Sequence, residues 1–136
     1  GCFAGACSGP LSTLTNVHAL QAGTQTPVDL AAVLGTQAGG GSAPATRAVT
    51  VLADTGAPGA AKSLVLTFML DGNFGAQTQV AMAPSGAVAG GAEQWTGTVP
   101  PQPAGTRVYF FLTATGWDGT TLFAPGSQRN YAYSSN

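Results

Sequence analysis

The triplet Asp54-Thr55-Gly56 closes the apolar run VLADTGA, and an aspartate in that setting is the first residue here that could do chemistry. Peptide hydrolysis by paired aspartates needs two carboxylates about 3 Å apart sharing one proton, because like charges that close cannot both ionise. With a single triplet per chain, two copies of Asp54 would have to meet across a homodimer. The other reading of the same residues is a turn, in which the Asp side chain bonds nearby backbone N–H groups and Gly supplies a permissive conformation. His18 is the only imidazole, so any Ser-His-Asp or Cys-His arrangement has to use it. Glu93 is the only glutamate, and Asp71-Gly72 and Asp118-Gly119 are turn dipeptides, so no glycosidase-type carboxylate pair emerges.

Metal chemistry is no better served. Calcium takes six to eight oxygen ligands, and the chain has no clustered acidic loop. Cys2 and Cys7 lie close together among small residues, which suits a small disulfide loop formed in an oxidising compartment, or two free thiols. Their C-x4-C spacing has no second pair to complete a zinc site. The expectation is no metal, no cofactor and no catalysis.

The aromatic residues are more informative. Trp117 sits in the turn Gly-Trp-Asp-Gly, where a large ring has little reason to be buried. Tyr131 and Tyr133 share one face of the last alternating segment with Arg129. An exposed indole beside tyrosines can stack on the apolar face of a sugar ring, with Asp118, Gln128 and Asn130 bonding its hydroxyls. The expected ligand site is therefore Trp117, Asp118, Gln128, Asn130, Tyr131 and Tyr133. In the competing reading Trp117 folds back over the end of the domain and both tyrosines cover core, since such side chains commonly keep an apolar body inside and a polar tip outside. Trp95, on the alternating QWTGTV, reads as core.

Composition narrows the partners. Asp, Glu, Lys and Arg make up 7% of the 136 residues, against roughly 25% in a typical soluble domain. Four cations spread along the chain (Arg47, Lys62, Arg107, Arg129) cannot neutralise a run of phosphates, which excludes DNA and RNA. No apolar run reaches the roughly 18 residues of a membrane span. Low charge with abundant Gly, Ala and Thr accompanies extracellular modules and surface polymers, and a net charge of −1 tolerates self-association. The expected partner is a glycan or cell-surface polymer, or copies of the same chain, and the expected location is extracellular or at the cell surface.

These side chains need elements to hold them. Residues 1–47 read as a leader: LSTLTNVHAL suits an edge strand, and TPVDLAAVLG suits a two-turn helix with Thr26 as cap, Pro27 at its first position and Gly35 at its exit. AGGGSAPAT (38–46) reads as a flexible connection or a long loop, which places a boundary before a domain at 48–136. From there the period is two. In SLVLTFML, Leu64, Leu66, Phe68 and Leu70 share a face; in TRVYFFLTAT, Val108, Phe110, Leu112 and Ala114 form an inner row and Tyr109, Phe111 and Thr113 an outer one. Apolar groups in both rows predict a central strand covered on both sides. PSGAVAGGA reads as turn, and TTLFA and RNYAYS as closing strands on either side of Pro125-Gly126. Six or seven short strands with regular turn signals predict an all-β, antiparallel β-sandwich.

The run PAGTRVYFFLTATGWDG resembles the penultimate strand of fibronectin type III and related immunoglobulin-like modules, in which a turn leads into alternating Tyr and aliphatic residues. Phe68 stands where those modules usually carry a buried Trp. The resemblance spans about residues 48–134 and implies an Ig-like sandwich with no particular activity. The chain also looks similar to accessory domains of secreted bacterial enzymes and surface proteins, some of which bind starch or other glycans. Two further function classes follow. One is a subunit of a filament, sheath or adhesin, whose leader adds a strand to a neighbour or covers its own sheet edge. The other is the dimeric aspartic protease. Retroviral enzymes of that type end in Gly-Arg-Asp or Gly-Arg-Asn entering a helix, whereas Gly126-Ser127-Gln128-Arg129-Asn130 leads into an alternating segment.

Overall fold

In the computed structural model, residues 11, 13–35, 37, 39–71, 73, 75–89, 92–126 and 128–136 are described, residues 87–89 by their backbone alone. Cys2 and Cys7, and with them the expected disulfide loop, lie outside the described residues. The elements are strands: β1 (Thr15–Gln21), β2 (Pro27–Val28), β3 (Ala31–Leu34), β4 (Ser42–Ala43), β5 (Val49–Asp54), β6 (Ala61–Leu70), β7 (Thr78–Ala81), β8 (Ala83–Ala89), β9 (Ala92–Val99), β10 (Arg107–Gly116), β11 (Thr121–Ala124) and β12 (Arg129–Ser135). Among the described residues no helix is long and apolar enough to cross a membrane.

The strands form two sheets, antiparallel except where β4 runs parallel to β12. The smaller has the order β2-β1-β5-β9-β8; the larger runs β3-β12-β10-β6-β7, with β11 also on β10 and β4 on β12. The all-β sandwich expected from the period-two pattern is what forms. Leu64, Leu66 and Phe68 of β6 and Val108, Phe110, Leu112 and Ala114 of β10 face Val49, Val51 and Ala53 of β5 and Trp95 and Val99 of β9. Each large apolar side chain fully buried there stabilises the fold by about 1.5–3 kcal/mol relative to exposure. Gly97 is small for a reason: a Cβ on it would come within 2.7 Å of Met82 Cγ. Met82 also marks the corner at which the chain changes sheet, since its N–H still bonds Leu64 while the next strand, β8, pairs with β9.

The outer face of the larger sheet carries a second cluster, with Val33, Met69, Tyr109 and Ala132 buried and Phe111 packed beside them. β10 is thus central and apolar on both faces, as its two rows predict. Part of the cover comes from the segment after β3. A Cβ on Gly39 would meet Ala31 Cβ at 2.8 Å and Val33 Cγ1 at 2.9 Å, and the Tyr109 hydroxyl donates to the Gln37 carbonyl at 3.3 Å.

Three expectations for local structure are corrected. TPVDLAAVLG makes no helix: Pro27 and Val28 pair with β1, and Ala31–Leu34 pair with β12. Two helical turns in isolation are marginal, whereas strand pairing gives these residues ladder partners and buries Val28 and Val33. The glycine-rich stretch is a packed connection rather than a loose hinge, because Gly41 N–H bonds the Asp29 carbonyl at 2.8 Å and Ser42–Ala43 join β12. PSGAVA belongs to β8, paired with β9 through an irregular register. The leader segment accordingly supplies strands to both sheets, β1 and β2 to one and β3 and β4 to the other.

Candidate functional site

Asp54-Thr55-Gly56 ends β5 in a web of local bonds. The Thr55 N–H donates to the Glu93 carbonyl at 3.0 Å, the Glu93 N–H donates to Gly56 at 2.7 Å, and Gly56 takes a φ of +83° that favours glycine. Asn16 Nδ2 donates to the Asp54 carboxylate at 3.1 Å. Asn16 itself has φ +52° at the register shift between β1 and β5, a conformation that Asn tolerates better than most residues. His18 Nδ1 donates to the Asn16 carbonyl at 2.8 Å. Among the described residues no three His, Cys, Asp or Glu side chains gather as a metal site would require.

The six expected ligand residues do not form one surface. Trp117 is 63% exposed at the β10–β11 turn, its Nε1–H donating to the Gly59 carbonyl at 3.0 Å and Lys62 Nζ lying 5.8 Å from the ring centroid. The ring is thereby pinned to the β5–β6 loop. Asp118 beside it accepts from the Thr120 N–H at 3.0 Å, and bonds from the Thr120 side chain and then its backbone hold the carboxyl below the usual aspartate range. Tyr131 and Tyr133 face the other way, into the core. Their rings meet Phe110 at 5.2 Å and 6.4 Å, and burial raises both phenols above their ordinary value. Tyr133, 2% exposed, cannot touch a ligand, so the tyrosine platform is corrected: the residues pair with Phe110 and Val108, whose side chains point inward. Trp95 is core, as its strand position predicts.

Gln128 and Asn130 do line a cavity, of about 360 Å³, together with Phe111, Phe123, Ala124, Gly126 and Arg129. Its origin lies in the register. One edge of β10 is occupied by β6 along its whole length, so β11 and β12 share the other edge. Ala124 stands opposite Leu112 and Tyr131 opposite Phe110, which leaves the chain between them to detour past Phe111. The detour starts at the cis Ala124–Pro125 bond and uses φ values of +74° at Gly126 and +58° at Gln128. Phe123, opposite Thr113, is 60% exposed beside this cavity.

Phe111 and Phe123 form an aromatic floor that Gln128, Arg129 and Asn130 border, on the face of the larger sheet away from the core, while the Arg129 guanidinium reaches across to the Ala32 carbonyl of β3 at 3.5 Å. Gln128 and Asn130 are among the six residues singled out from the sequence; Phe111 and Phe123, which border the same cavity, are not. The signal available was the outer row of β10, in which Phe111 follows Tyr109, and the alternation in TTLFA that turns Phe123 to the same side. No protein-family model matches this chain, and no curated protein aligns significantly with it.

Proposed function

We propose that this chain is a non-catalytic, extracellular saccharide-binding module of the Ig-like type, using the cavity between Phe111, Phe123 and the Gln128–Asn130 segment. The observation that carries the reading is a 60% exposed Phe123 beside a cavity of about 360 Å³ that the amide residues Gln128 and Asn130 also line. That volume falls in the range of small-molecule sites, about 300–1,000 Å³. A phenyl face accepts the apolar side of a pyranose, while amides donate to and accept from its hydroxyls. The near absence of charge elsewhere on the chain is in keeping with a module that works outside the cell. Affinity electrophoresis in gels containing individual polysaccharides tests the reading: retardation by at least one polymer is expected, abolished in Phe123→Ala and kept in Trp117→Ala. Unchanged retardation of Phe123→Ala, or none with any polymer, overturns it.

A second reading, a self-assembling surface subunit, is favoured by one observation. The strands β3 and β4, from the segment before β5, pair with the last strand β12 at the margin of the larger sheet. The same pairing between copies would join chains head to tail. Sedimentation that shows only monomer at high concentration removes this alternative.

A further inference from the structure

The edges of the two sheets are not alike. β2 and β4 are two residues long, and β8 contains Pro84 and pairs through an irregular register. The Gln37 side chain accepts from the Leu34 N–H at 3.2 Å and so closes the end of β3. Very short length, proline and irregularity are devices that keep an edge from pairing with another chain. β7 carries neither proline nor irregularity, and β11 resembles it only at the border of the cavity, which Phe123 and Ala124 line.

The register fixes which groups β7 leaves bare. The Met82 N–H bonds the Leu64 carbonyl at 2.9 Å, so the hydrogen-bonded pairs that follow along β6 and β7 are Leu66 with Val80 and Phe68 with Thr78. Gln79 and Ala81 stand at the intervening positions and aim their N–H and C=O groups away from β6, toward no partner among the described residues. Both residues are exposed, whereas Val80 is half-buried and packs against the core. Residues 72–92 include no Asp, Glu, Lys, Arg or His. A charged partner finds nothing there to pair with, and a second copy meets no like charge.

We infer that β7 pairs antiparallel with β7 of a second copy about a two-fold axis at Val80. Gln79 then stands opposite the partner's Ala81, and each such pair exchanges two backbone hydrogen bonds. Val80 meets its own symmetry mate at about 4.5 Å between Cα atoms, which covers the exposed part of both side chains. Unlike the head-to-tail exchange of β3 and β4, this contact closes at two chains. Phe111 is level with Gln79 through Thr67. The joined sheet therefore shows both cavities on one face, five strand steps of about 4.8 Å apart, close enough for one polysaccharide to reach both; this consequence rests on the saccharide-binding reading above.

Sedimentation equilibrium of the full chain, at concentrations up to about 1 mM, tests the pairing. A monomer–dimer equilibrium is expected. Gln79→Lys places two ammonium groups diagonally about 7–8 Å apart, and at low salt should raise the dissociation constant about five-fold or more. An equal mixture of Gln79→Lys and Gln79→Glu chains should dimerise more tightly than either alone, which a folding defect cannot imitate. Ala81→Pro removes an N–H that points away from β6 and should abolish the dimer while keeping the β6 ladder. Monomer at every concentration overturns the inference, and so does a dimer indifferent to both Gln79→Lys and Ala81→Pro. A dimer lost only in Phe123→Ala moves the contact to β11 and overturns it as well. Monomers retarded by a polysaccharide in affinity gels overturn the pairing and leave the saccharide reading standing.

Discussion

The indole Nε1–H of Trp95 donates to the hydroxyl oxygen of Thr55 at 2.9 Å, with both side chains buried. This bond ties the end of β5 to the middle of β9 and gives the triplet Asp54-Thr55-Gly56 a structural part. Replacing Thr55 by Val keeps the shape and strands the indole donor. The expected loss is about 1–3 kcal/mol in urea unfolding, with Thr55→Ser close to wild type.

The alkaline limb of the stability curve should come from the inward-facing tyrosines. Burial raises the Tyr133 phenol, and Tyr131 in the same direction, above the ordinary value of 10.0. The native state therefore keeps protons that the unfolded chain has already released. Stability should be flat in this respect below about pH 10 and fall as pH rises beyond it. Melting temperatures measured from pH 8 to 11.5 should show that fall, and Tyr133→Phe should make it shallower.

Gly40 and Gly23 both have positive φ, +80° and +76°, but differ in what surrounds them. A Cβ on Gly40 would run into the Ala132 carbonyl oxygen, whereas nothing lies within 4 Å of one on Gly23. Gly40→Ala should cost clearly more than about 1 kcal/mol and speed amide exchange around Met69 and Tyr109, as their cover loosens. Gly23→Ala isolates the backbone cost alone and should be the milder variant in the same denaturation experiment.

The two tryptophans should be separable by fluorescence. Trp117→Phe leaves only Trp95, and the remaining emission should be blue-shifted and resistant to acrylamide, because that ring is 5% exposed. Stability should fall by about 0.5–1.5 kcal/mol, the net worth of the indole's lost hydrogen bond to the Gly59 carbonyl. A red, readily quenched spectrum in this variant would contradict the burial of Trp95.

The larger sheet was legible because the period-two rows of β6 and β10 report burial residue by residue: Leu64, Leu66, Phe68, Val108, Phe110 and Leu112 all face inward as their alternation requires. The short elements were not. Pro27, Thr26 and Gly35 satisfy helix end rules, and only the availability of partners on β1 and β12 decides for strands, which is tertiary information. Gly39 and Gly40 look flexible in sequence and are required by close approach in space. At the candidate site, polarity drew attention to Gln128 and Asn130, which border the cavity, but the inward turn of Tyr131 and Tyr133 depends on their register with Phe110 and Val108. Arg129, Tyr131 and Tyr133 alternate together in sequence, so the alternation alone could not say which side of the strand was solvent.

Because β11 and β12 hang on one edge of β10 with their registers fixed separately, neither ladder takes its pairing from the stretch that joins them. The scaffold is thus built for re-tailoring. Libraries randomised between Ala124 and Arg129 should keep the fold, much as antibody loops diversify on a constant frame.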